Sequence, residues 1–452
     1  MSVRICRSAA FIGAAAALLV LVTRHAPGQG SAAMPQSSAP PTRIVLGWAG
    51  DAATSRAVTW RTRTPADAPR AEIGLASTTG QGTDAAPASV PATARPVALD
   101  DGRTVTHYRA EFTGLKPATA YAYRVGAGPA FSEWHRFTTA SAAPAPFRFI
   151  YLGDAQSGLD KKWPAVVRAA FAKAPGARFV VHAGDLLSDG YDSGMWGSFV
   201  AGLGEEAATV PHLPVPGNND VRRVPAGADG GRVLRVSPLW NAHFALPPNG
   251  PADLRDLEGQ NYVVDYEGVL IVALDVNAFA NEEFGRSAGA RVREALTAWL
   301  RRVLGAGSPR WRVVVQHYPH HSVVKRRDYA AMRDALAPVY DEYGVDLVLQ
   351  GHDHAYSRTH KVFDGQLADD AARRTVYATS VSGPETEPIT TKWKPLMAAL
   401  REGSLLYQVV AVENGRLTYE ACTAAGKQID AFSLSRPAGA APGAPSVLTQ
   451  DR

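Results

Sequence analysis

Apolar and polar positions follow two different rhythms along this chain, and the change falls near residue 140. From Thr42 to about Thr139 short runs alternate between apolar and polar positions: RIVLGW, SRAVTWRT, RAEIGLA, VTHYRAEFTGL, TAYAYRVG and SEWHRFTT. Turn residues bound each run, which predicts a small all-β sandwich over 42–139. Trp48 and Trp60 fall on its apolar positions and are expected in its core. ASAAPAP (140–146) reads as a Pro/Ala linker. From Phe147 onward, continuous apolar runs of strand length alternate with helix-spaced segments at 163–174, 291–304 and 328–343. That alternation predicts an α/β domain over 147–436 with helices packed on sheets. Pro338 lies inside the last helical segment and predicts a kink or break there. The low-complexity end, 437–452, is expected to be a disordered tail.

Five of the apolar runs end in metal-grade polar residues. They are FRFIYLGDAQ (Asp154, Gln156), RFVVHAGD (Asp185), PHLPVPGNND (Asn218), RWRVVVQHYP (His317) and VDLVLQGHDH (His352, His354). The carboxyl ends of strands in an open α/β sheet form the ligand crevice, so residues distant in sequence can converge there. Two Asp, one Asn and three His exceed the needs of one ion. They suit a pair of divalent metals sharing a carboxylate, an arrangement that splits phosphate esters.

The net charge of +5 changes little in this picture. Arg4, Arg7 and Arg24 lie in the first 33 residues, which hold no acid, so the remainder carries 5 − 3 = +2. Such a balance gives no reason to expect a nucleic-acid partner. The first 33 residues combine a basic start, an Ala/Leu/Val-rich run over 9–22, and small residues Ser31 and Ala33 placed for cleavage. They read as a signal peptide, followed by a linker at 34–41. The apolar run is short for a bilayer span, so no stable membrane span is expected in the mature form, and the location is secreted or periplasmic. Cys422 is then the single cysteine left, which excludes an internal disulfide.

The order GD (153–154), GD (184–185), GN (217–218), H-x-P (317–319) and GHDHAYSR (351–358) resembles the calcineurin-like metallophosphoesterase superfamily. Within it, LWNAHFALPPNGP, NYVVDYEGVLIVALD, VSGPE and LLYQVV resemble secreted bacterial members of the purple acid phosphatase group. GLKPATAYAYRVG resembles the fibronectin type III turn in which a Tyr forms a corner, which makes the amino-terminal sandwich fibronectin type III-like. The resemblance implies two β-sheets sandwiched between helices. It also implies two divalent or mixed-valence metal ions, with Zn, Fe or Mn the best matches to mixed N/O ligation. Asp154 and His354 would bind the first metal, Asp185 would bridge, and Asn218, His317 and His352 would bind the second. The implied activity is hydrolysis of a small phosphomonoester by hydroxide held at the metals and attacking in line. A phosphodiesterase or nucleotide hydrolase on the same ligands, and a catalytically weak surface-binding protein, remain open alternatives.

Three positions depart from the family pattern. Ser188 stands where the purple enzymes carry the Tyr that gives their colour, so no dedicated ferric site is expected. Gln156 stands where many members place a His, and serves either as a substitute metal ligand or as a hydrogen-bonding neighbour of one. Asn219 replaces the usual His that assists the leaving group. It can donate to a phosphate oxygen but cannot serve as a general acid near neutral pH. His320 and His321, just after His317, are therefore candidate proton donors. His182 is expected to be a hydrogen-bonded core residue, and Arg358 is a candidate supporting residue for the site.

Overall fold

The computed structural model describes residues 40–225, 232–280, 286–368, 374–413, 415–437 and 444–450. Residues 1–33, expected to be a signal peptide, and residues 34–39 of the expected linker lie outside them, as do residues 226–231 and 281–285. The amino-terminal runs form two packed sheets. One takes the order Thr42–Gly47, Arg56–Arg61, Thr104–Phe112 and Thr93–Ala98. The other is built on Arg70–Leu75 and Ala120–Ala127. Trp60, Tyr108, Phe112, Tyr123 and Phe137 fill the space between the sheets, with Trp60 stacked on Tyr108 at 5.7 Å. The predicted corner is present: the Tyr121 hydroxyl accepts a hydrogen bond from the Lys116 N–H at 2.9 Å.

Trp48 does not belong to that core. It packs instead on Phe179 (5.7 Å) and Tyr266 (5.8 Å), both from the α/β domain. Further ties cross the same junction. The Tyr123 hydroxyl donates to Ala208 O (2.5 Å), Thr59 Oγ1 donates to His243 O (2.6 Å), and Trp48 N donates to Ala245 O (3.0 Å). The 140–146 segment therefore joins regions that meet over a shared apolar cluster, to which the sandwich contributes Val45, Trp48 and Ala52 while keeping a cluster of its own.

The α/β domain is built on a pair of seven-stranded sheets lying face to face. The first takes the order His212–Pro214, Val180–His182, Phe147–Leu152, Leu406–Glu413, Arg416–Thr423, Gln428–Ser435 and Val447–Gln450. Its first three strands are parallel. The second includes the parallel run Val269–Ala273, Trp311–Val315, Leu347–Gln350 and Val376–Thr379. Strand alternation sorts its side chains. Ile271, Val313, Val315, Leu347 and Leu349 face the first sheet, while Val272, Val314 and Val348 face the helices Arg286–Gly305 and Ala330–Tyr343. The helix Trp163–Lys173 buries Trp163, Val166, Val167 and Ala170 against the outer face of the first sheet. This is the layered arrangement of two sheets between helices that was expected.

Three details differ from the sequence reading. The helix Ala330–Tyr343 continues through Pro338 and ends at Gly344 in the left-handed region (φ 62°), so the break falls at the glycine and not at the proline. The tail is not wholly irregular. Val447–Gln450 adds an edge strand to Gln428–Ser435, because the backbone N–H and C=O groups there gain ladder partners whatever the side chains are. Arg358 forms a buried two-pronged ion pair with Asp430 (2.6 and 2.9 Å) and so fastens one sheet to the other, away from the candidate metal ligands.

His182, as expected, is a core residue: its Nε2 donates to Nδ1 of His212 at 3.0 Å. Burial pushes His212 down to about 4, and burial together with His212 holds His182 well below its usual range. Both folded values lie under the unfolded value near 6.5, so in the window from about 6.5 to 4 the unfolded chain binds more protons. Stability is therefore fully present above pH 6.5 and declines as pH falls through that window, on the order of 2 kcal/mol for His212 alone. Thermal unfolding of the wild type and His321→Phe at pH 7 and pH 4.5 should show the variant losing less Tm over that interval. The His321 imidazole is pushed to about 3 by burial, and neither ring nitrogen has a hydrogen-bond partner.

Candidate metal centre

The strand ends that carry the site take unusual backbone conformations. Asp154 (φ 35°), Gln156 (φ 35°), Asp185 (φ 48°) and His352 (φ 71°) all occupy the left-handed region, where a non-glycine residue costs on the order of 1 kcal/mol. Gly217 and Gly351 allow the loops to close over these residues. A Cβ on Gly217 would collide with Asp185 Oδ1, and one on Gly351 with Asp154 Oδ2. Such strain is retained only where the surrounding structure enforces it, and here it turns polar side chains of separate strands towards one another.

The geometry brings all seven sequence-proposed ligands to one rim. His317 Nε2 lies 3.2 Å from Asn218 Oδ1, 3.2 Å from His352 Nδ1 and 3.5 Å from Asp185 Oδ1. Asp185, His317 and His352 each place a ligand atom within 4.8 Å of the others. On the other side of Asp185, His354 Nε2 lies 3.8 Å from Asp154 Oδ1. Gln156 Nε2 reaches Asp185 Oδ2 (3.0 Å), His354 Nε2 (3.0 Å) and Asp154 Oδ1 (3.5 Å). Asp185 is thus the carboxylate between two groups of donors. Ser188 takes no part: its hydroxyl contacts the Met195 sulfur at 3.5 Å.

The donor set fits cations. His317 Nδ1 is committed to Ala183 O (2.8 Å), which leaves Nε2 as the ring atom aimed into the cluster. Burial alone would lower the pKa of His317. The Asp185 and Asp154 carboxylates outweigh it and lift the value to about 9. Burial, together with the Asp185 charge, pushes Asp220 up to about 8 and Asp154 well above the carboxylate range. A buried set of this kind stabilises positive charge strongly, which is the electrostatic signature of a metal site.

The candidate acids fare differently. Asn219 is at the rim but grips Asp185, its backbone N–H on Oδ1 and its Nδ2 on Oδ2, both at 2.8 Å. His320 and His321 are not at the rim. Successive residues after the Trp311–Val315 strand alternate sides, so Gln316 turns away from His317 and carries His320 with it. His320 Nδ1 accepts from the amides of Gln316 (3.1 Å) and Gln350 (3.2 Å), and its ring packs on Tyr340 and Tyr377. His321 packs on Tyr377 and Trp393. Burial keeps both imidazoles neutral and far from the crevice.

Several supporting residues were not among those proposed from the sequence. The Tyr329 hydroxyl lies 2.5 Å from His352 Nε2 and orients the ring so that Nδ1 faces the cluster. Asp353, the third residue of GHDH, accepts from Ser322 Oγ, Val323 N and Arg327 Nη1. Arg327 also reaches His352 O (2.7 Å) and Glu387 Oε2 (2.7 Å). Glu385 Oε2 lies 3.3 Å from His354 Nδ1. The VSGPE motif, one of those behind the resemblance, contains Glu385, and the middle Asp of GHDH was visible. Nothing in the sequence marked Tyr329.

Comparison with known proteins bears on the fold and family. Residues 41–139 match the family model for the purple acid phosphatase N-terminal domain, and residues 147–356 match that for calcineurin-like phosphoesterases. An N-terminal all-β domain of the purple acid phosphatase type is thus followed by an α/β domain of the calcineurin-like phosphoesterase type. An uncharacterised protein of Mycobacterium tuberculosis is 26% identical over 370 residues, covering 74% of this chain and 65% of that protein's length. Mouse acid phosphatase type 7 is 25% identical over 358 residues, covering 72% of this chain and 74% of its own. A purple acid phosphatase from yellow lupin seeds shares the fold with a TM-score of 0.66 at 17% identity, over 88% of this chain and 75% of that one. PhoD does so with a TM-score of 0.64 at 14% identity, over 93% and 94%.

Replacing Tyr329 with Phe keeps the ring and removes the oxygen that orients His352. Zinc affinity measured by chelator competition should fall about 10- to 100-fold, with the Tm of the metal-free protein unchanged.

Proposed function

We propose that this protein hydrolyses phosphate monoesters outside the cytoplasm, with two divalent metal ions held by Asp154, Asp185, Asn218, His317, His352 and His354. One observation carries the reading: His317 Nε2, Asn218 Oδ1, Asp185 Oδ1 and His352 Nδ1 meet within 3.5 Å of His317 Nε2, each from a different strand end. Acid phosphatase relatives support the reaction class. Export rests on the composition of residues 1–33. No helix among the described residues is long and apolar enough to cross a membrane.

Metals bound here would offset charge on the phosphoryl oxygens and make water a stronger nucleophile at neutral pH. The chain's own residues do the positioning. Asp185 keeps the two donor groups in register, and Asn219 holds Asp185 through two hydrogen bonds at 2.8 Å. Ala183 O and Tyr329 fix the imidazoles of His317 and His352. No imidazole outside the proposed ligands approaches this cluster among the described residues, so protonation of the departing alcohol falls to solvent. The reaction should therefore favour esters whose leaving groups depart without help.

Two measurements test this. The metal-loaded protein should hydrolyse p-nitrophenyl phosphate faster than bis(p-nitrophenyl) phosphate. The reverse order would make the diester the substrate class, and no hydrolysis of either would favour a binding role. Asn219→His should raise turnover of alkyl phosphates by about 10-fold or more while changing p-nitrophenyl phosphate far less, since an added general acid matters most for poor leaving groups.

A further inference from the structure

The two halves of the cluster are satisfied in different ways. Around the second position the inward-facing atoms are ligand atoms: Asp185 Oδ1, Asn218 Oδ1, His317 Nε2 and His352 Nδ1. His317 Nδ1 is turned to Ala183 O, and Asn218 Nδ2 donates outward to Asn219 Oδ1 (3.2 Å), which leaves His317 Nε2 and Asn218 Oδ1 facing in. Among the described residues no side-chain amide nitrogen lies between these four atoms, so an entering cation displaces no amide.

The first position differs, because a side-chain amide nitrogen lies among its ligand atoms. The Gln156 amide has two hydrogens, and its nitrogen lies 3.0 Å from Asp185 Oδ2 and 3.0 Å from His354 Nε2. Asp154 Oδ1 is 3.5 Å from the same nitrogen, and its partner oxygen Oδ2 accepts from His352 N at 2.7 Å. His354 Nδ1 faces Glu385, which sets the ring with Nε2 as the acceptor. The amide thus supplies the positive end that an ion would otherwise provide. Gln156 is also buried, so the contact is shielded from water.

We propose that Gln156 is an internal plug of the first metal position, so that the protein keeps one ion tightly at the second position and takes another only weakly and exchangeably at the first. This rests on the metal-dependent reading above and deepens it. To admit an ion, the Gln156 amide must turn its Oε1 towards the donors or swing aside, and either motion gives up its two hydrogen bonds. The remaining donors differ in kind as well. The second position offers two imidazoles and suits zinc-like ions. The first offers one imidazole among oxygens and suits a harder exchangeable cation such as Mn2+.

The test titrates the metal-free full chain with Zn2+, and separately with Mn2+, against a chromophoric chelator. One equivalent of Zn2+ should bind about 10- to 100-fold more tightly than the second, and Gln156→His, which replaces the plug with an imidazole ligand, should bring the two affinities closer by about 10-fold. His352→Ala should abolish the tight step. Two equivalents bound with equal affinity by the wild-type protein would overturn the plug and leave the phosphatase reading standing. An affinity gap unaltered in a folded Gln156→His protein would overturn it too. Should that variant not fold, as judged by circular dichroism, the wild-type titration decides alone. Failure to bind metal at all, with no hydrolysis, would remove both.

Discussion

One carboxylate ties the two halves of this site together. Asp185 Oδ1 meets His317 and the Asn219 N–H, while Oδ2 meets Gln156 and the Asn219 side chain. The strand ends can crowd their charged and polar tips at a single rim only because this buried anion gives them a common partner. The costs are visible in the backbone, where four of the converging residues take left-handed conformations. Both sheets then act as a frame that denies those residues any relaxed alternative.

What could be read from the sequence was what a strand imposes. An apolar run of strand length ending in Asp, Asn or His states both where the chain goes and what it carries, so Asp154, Asp185, Asn218, His317, His352 and His354 were visible one by one. What the sequence hid was direction. His320 and His321 are near His317 along the chain, yet alternation beyond the strand carries them to the helix side with Tyr340 and Tyr377. Tyr329 lies twelve positions beyond His317 with no motif around it, and only folding places its hydroxyl on His352. Asn219 was noticed for what it lacks, an acidic proton, and its positive role in gripping Asp185 depends on a contact thirty-four residues away.

The fold shows the same division. Layer order and sheet content follow from periodicity, which depends on local alternation alone. Partner choice does not. Trp48 has the pattern of a sandwich residue, and its side chain nonetheless enters the other core. The edge strand Val447–Gln450 arises from ladder hydrogen bonding that a composition rich in Ala, Gly and Pro conceals. Arg358 reads as a member of the GHDHAYSR motif and turns out to fasten two sheets through Asp430.

The shared aromatic junction has a practical corollary for anyone handling fragments of this protein. Cutting the chain at residue 146 to isolate the α/β domain would strip Trp48 from Phe179 and Tyr266, leaving a sticky ring-lined scar on the product. Each such ring removes roughly 150–250 Å² from water when covered. The amino-terminal sheets are thus less an appendage than a lid sealed by one indole, and the hydrolase fragment would be expected to clump unless its partner came with it.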